Sequence, residues 1–134
     1  MDFETDDDPN VKRWAITLFI PGGWTVDLLS LAQDLGLEEG EFRELVELFI
    51  EATTADLRNL LNAASQRDLT KVGNLAHSIK GASINLGFTE ISSLAKQIEI
   101  NARNNLIEGV PEAASVLGNQ LNSLKEGLDQ RLRV

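Results

Sequence analysis

A chain of 134 residues, 43% of them apolar, suffices for one core and is too short for separate cofactor and substrate lobes. With 12 basic against 21 acidic side chains the net charge is -9, which opposes nucleic-acid phosphates and the anionic face of a membrane. Cysteine is absent, which excludes disulfides, thiolate catalysis and zinc-thiolate sites, and a single histidine excludes a metal centre held by several imidazoles. Residues 1–8 are acidic, the reverse of a secretory signal, and the apolar run over residues 14–20 is too short to cross a bilayer. The composition therefore points to a cytoplasmic protein whose partners are neither nucleic acid nor membrane.

Apolar residues recur at steps of three and four throughout, and no credible strand is visible. Residues 1–8 read as a disordered acidic tail. Residues 9–25 read as an accessory helix and turn: Pro9 suits the first helical position, Val11, Trp14, Ala15, Leu18 and Phe19 share a stripe, and Pro21-Gly22-Gly23 ends it. Residues 26–134 read as a bundle. It begins with a short helix over residues 26–35, with Leu28, Leu31 and Leu35 inward and Gly36 as its stop. A long helix over residues 38–64 turns Phe42, Leu45, Val46, Phe49, Ile50, Thr53, Leu57, Leu60, Leu61 and Ala64 inward.

Asp68 then caps a helix carrying Leu69, Val72, Ala76, Ile79, Ser83 and Leu86, which closes at Gly87. The next starts at Thr89 and buries Ile91, Leu94, Ala95, Ile98 and Ala102, and the last starts at Pro111 with Ala114, Leu117, Leu121, Leu124, Leu128 and Leu132. The fold class this predicts is all-α: an antiparallel four-helix bundle with one or two additional short N-terminal helices.

The chemistry concentrates in the stretch Ala76-His77-Ser78-Ile79-Lys80-Gly81. Advancing about 100° per residue puts His77 on the side away from the apolar stripe, facing solvent. Thr70, Gly73, Asn74, Lys80, Gly81 and Ile84 share its face, with Asn85 at the border. Two of these are glycines, and each costs about 0.5–1 kcal/mol inside a helix relative to alanine. A bare surface on which another protein closes over the ring would offset that cost, and Lys80 supplies a cation for a phosphoryl group. The contrasting reading of His77 is an ordinary surface histidine with glycines that mark close packing.

Together with Ala82-Ser83 and Leu86-Gly87, this stretch resembles the signature of histidine-containing phosphotransfer (HPt) domains. Phe49, Leu94, Glu99 and the leucine-rich last helix resemble the same family's layout, and the likeness covers residues 26–134. It implies a helical bundle acting in two-component phosphorelays. By that likeness His77 is the phosphoacceptor, Lys80 steadies the phosphoryl group and Gly81 leaves room for it. Gly73, Asn74, Ile84 and Asn85, which share or border the helical face of His77, are expected to complete the partner surface. The implied partners are receiver domains of response regulators or hybrid histidine kinases.

An imidazole is largely neutral at pH 7 and attacks an acyl phosphate without a dedicated base. The receiver brings magnesium, so no cofactor of its own is expected. ATP binding and autokinase activity are not expected either, because Gly22-Gly23 precedes no Lys-Ser or Lys-Thr. A di-iron carboxylate bundle needs Glu-x-x-His pairs, and Asn74 stands three residues before the only histidine. Two functions follow: a monomeric carrier that takes a phosphoryl group on His77 from one receiver aspartate and passes it to another, and an adaptor that binds a receiver or kinase without chemistry.

Overall fold

The computed structural model describes the backbone of residues 17–20 and 24–132, and the side chains of residues 30–38 and 40–129. In chain order the elements are β1 (Thr17–Ile20), β2 (Trp24–Asp27), α1 (Leu28–Asp34), α2 (Glu39–Ser65), α3 (Leu69–Leu86), α4 (Thr89–Arg103) and α5 (Val110–Leu132). Helices α2 to α5 pack in a ring, each against the next and α5 back against α2, which is the expected antiparallel bundle.

The connections explain why the helices end where they do. Asp68 caps α3 by accepting from the Lys71 N–H at 3.2 Å. Gly87 ends it in the left-handed conformation at φ 87°, where the Phe88 N–H reaches back to the Ser83 carbonyl at 2.9 Å. This two-residue corner, residues 87–88, holds α3 and α4 as close antiparallel neighbours. Leu31 of α1 packs onto it, its Cδ2 standing 2.6 Å from where a Cβ on Gly87 would lie.

The interior follows the predicted stripes. Phe42, Val46, Leu60, Ile79, Ile91, Ile98, Leu117, Leu124 and Leu128 are all buried, and Phe49 tilts against Phe88 with ring centroids 5.3 Å apart. Leu35, Leu45 and Leu61, expected inside, are exposed. Leu45 and Leu61 fall at the two edges of the α2 stripe, about 90° and 70° from its centre.

The N-terminal region departs from the expectation of helix. Leu18 and Phe19 lie in β1, which pairs antiparallel with β2 in the register Thr17↔Asp27 to Ile20↔Trp24. The chain between residues 14 and 27 is rich in Thr, Ile, Val, Phe and Trp, and Pro21-Gly22-Gly23 punctuates a hairpin as well as it stops a helix. Val26 and Asp27 are consequently strand, and the short helix begins at Leu28. β1 lies beside α5. The expected acidic tail, and Val11, Trp14 and Ala15 of the expected helix, lie outside the described residues.

Candidate functional site

His77 occupies the middle of α3 with its side chain 65% exposed, on the face that α4 borders. Beneath it stands Glu99 of α4, whose side chain is only 14% exposed. One Glu99 oxygen, Oε2, lies 3.0 Å from His77 Nδ1, and the other, Oε1, lies 2.9 Å from Lys80 Nζ. Arg103, one turn further along α4, places Nη2 3.5 Å from Glu99 Oε2 and 3.2 Å from Asn74 Oδ1. A single carboxylate thus gathers three basic side chains from two helices.

Local structure fixes this register. Ser83 donates to the Ile79 carbonyl at 2.6 Å, and Ser92 in the first turn of α4 donates across to the Lys80 carbonyl at 3.3 Å. That cross-link ties the start of α4 to the turn of α3 that carries Lys80. Glu99 and Arg103 then follow at helical spacing on the edge of α4 next to α3.

The charge state of Glu99 decides what the cluster can do. The Lys80 hydrogen bond holds the Glu99 carboxyl below its ordinary value, desolvation opposes it, and the bond to His77 adds to the lowering. An ionised carboxylate only accepts hydrogen bonds, so in the neutral ring the proton facing Glu99 sits on Nδ1 and the lone pair on Nε2. The nitrogen with the lone pair is then the one not engaged with Glu99.

The surroundings of the ring are asymmetric. A Cβ added to Gly81 would meet nothing within 4 Å, so the C-terminal side of His77 is bare. Gly73 differs from the expectation of bare surface: it is buried, and a Cβ there would stand 2.8 Å from Arg103 Nη1 and 2.9 Å from its Cζ. Asn74 is exposed and anchors the same guanidinium. Ile84 and Asn85 are exposed about two turns further along α3. Asn85 borders an apolar groove of 440 Å³ lined by Leu35, Leu37, Leu45, Leu48, Phe49, Ala82 and Leu86.

Sequence reasoning reached Lys80 and Gly81 but assigned Glu99 no role at the site, and it passed over Arg103. The available signal was a Glu-x-x-x-Arg pair beside the Ile98 and Ala102 stripe. What the sequence alone does not show is which neighbouring helix that edge faces. Among the described residues no cluster of three or more carboxylates and histidines is placed to hold a metal ion, and no helix is long and apolar enough to cross a membrane.

The family model for the Hpt domain matches residues 44–130, from α2 to near the end of α5. The chain therefore belongs to the Hpt-domain family, and the bundle is that of a histidine phosphotransfer carrier. Its fold is similar to the crystal structure of histidine-containing phosphotransfer protein B (HptB) from Pseudomonas aeruginosa PAO1. The TM-score is 0.69 and the identity 26%, covering 80% of this chain and 91% of that one. Among curated proteins no significant match was found.

Proposed function

We propose that this protein accepts a phosphoryl group on Nε2 of His77 from the aspartyl phosphate of one receiver domain and returns it to the aspartate of another. The observation that carries the reading is the pairing of His77 Nδ1 with ionised Glu99 on an otherwise exposed ring. In the forward step the Nε2 lone pair forms the N–P bond while the O–P bond of the acyl phosphate breaks, its electron pair returning to the aspartate carboxylate. The ring becomes cationic, and Glu99, accepting from Nδ1–H, stabilises that charge. In the reverse step the ring leaves as neutral imidazole with Nδ1–H still in place.

Lys80 lies beside the ring to offset the phosphoryl charge, and Gly81 leaves space for the receiver to close. The exposed Ile84 on the His77 face of α3 and the apolar groove bordered by Asn85 offer a partner contact area. Magnesium arrives with the receiver. The test is incubation with a phosphorylated receiver: acid-labile, base-stable label that disappears in His77→Gln supports the carrier. Binding without label would make the protein an adaptor.

A further inference from the structure

Lys80 is one cation beside His77, and the cluster contains another that the motif does not specify. The Arg103 guanidinium shares Glu99 Oε2 with His77 Nδ1, so it is one acceptor atom away from the ring. It lies on the opposite side of His77 from Lys80 along α3, over Gly73 and Asn74. Its two contacts, at 3.5 Å to Glu99 and 3.2 Å to Asn74, are long for a guanidinium, and the side chain is 45% exposed. Arg103 is therefore seated, half in solvent and free to turn towards new negative charge.

Gly73 supplies the independent observation. The atoms that a Cβ at this position would strike are Nη1, Cζ and Nε of Arg103, at 2.8, 2.9 and 3.2 Å. The far end of a flexible side chain can move away, so a methyl group there displaces the guanidinium and leaves the helix intact. We infer that Arg103 is a second cation for the phosphoryl group on His77, and that Gly73 is glycine so that Arg103 can lie against α3 within reach of it. This rests on the carrier reading and adds a residue to its site.

The experiment uses phosphoramidate, which phosphorylates an exposed imidazole without any receiver. The Nε2 lone pair bonds to phosphorus, the P–N bond breaks, and its electron pair departs with ammonia. Labelling rate and phosphohistidine lifetime are measured for wild type, Arg103→Ala, Arg103→Lys, Gly73→Ala and the double variant Gly73→Ala/Arg103→Ala. Arg103→Ala and Gly73→Ala are each expected to slow labelling or shorten the lifetime by about three- to tenfold. Arg103→Lys should recover part of the loss, and the thermal midpoint of Gly73→Ala should not fall.

The double variant should be no worse than Arg103→Ala alone, because a glycine that serves only to seat Arg103 has no further role once Arg103 is gone. Unchanged kinetics in Arg103→Ala, or losses that multiply in the double variant, would overturn the inference. Wild type that labels on His77 while Arg103→Ala labels equally well leaves the carrier reading standing and removes Arg103 alone. Wild type that takes label from neither phosphoramidate nor a receiver removes the carrier reading itself.

Discussion

Glu99 fixes the position of one proton, and much of the chemistry follows from that. Lys80 and then His77 hold its titration below the ordinary carboxylate value against desolvation, and the ionised group is an acceptor for Nδ1–H. Glu99→Ala is expected to slow phosphotransfer by about tenfold by releasing the tautomer and the counter-charge, with Glu99→Gln intermediate because its amide oxygen still accepts. Rates with a phosphorylated receiver check this. The same carboxyl makes a stability prediction whose sign is set by its lowered titration. Its contribution is complete above the ordinary carboxylate value of 4.5 and is lost as pH falls through the lowered one. The midpoint difference between wild type and Glu99→Gln should accordingly shrink as pH falls from neutral through that lowered titration. Lys80→Ala should keep the fold and cost about tenfold in transfer or in phosphohistidine lifetime. His77→Gln should lose all label with a midpoint within a few degrees of wild type, because the side chain is 65% exposed.

At the scale of the elements, what the sequence made legible was whatever depends on one helix at a time. The stripe of α3 and its caps at Asp68 and Gly87 could be read directly, because capping chemistry and periodicity are local. The exposure of His77 followed from the same wheel. The hairpin was misread because the run ending in Leu18 and Phe19 fits a helical stripe and a strand equally well, and only its pairing with residues 24–27 distinguishes them. The bareness of Gly73 was misread for a related reason: Arg103 comes from another helix, and the wheel of α3 contains no information about α4. Gly81 faces open space, so Gly81→Leu should block transfer from a receiver while leaving labelling by phosphoramidate nearly intact. Equal losses with both donors would place Gly81 in the chemistry or the fold instead of the docking surface. A chain beginning at Leu28 lacks the hairpin beside α5, and is expected to melt several degrees lower and still accept phosphate. Full stability in that shortened chain would mean that residues 1–27 belong to another surface.

Across the whole molecule the charge is uneven. Residues 58–103 carry six basic and three acidic side chains, a surplus of +3 within a chain of net charge -9. The basic members of that segment include Lys80 and Arg103, on the face that an acidic receiver pocket would approach. Raising the salt concentration should therefore slow transfer from a receiver more than labelling by phosphoramidate.

The central claim is that phosphorus is carried on one particular nitrogen, and phosphorus–proton correlation NMR of the phosphorylated protein tests it most directly. On the proposed reading Glu99 accepts from Nδ1–H, which leaves Nε2 of His77 as the nitrogen to bond phosphorus. A spectrum showing phosphorus on Nε2, absent from His77→Gln, is the predicted result. Phosphorus bound to Nδ1, or to any other residue, would contradict it.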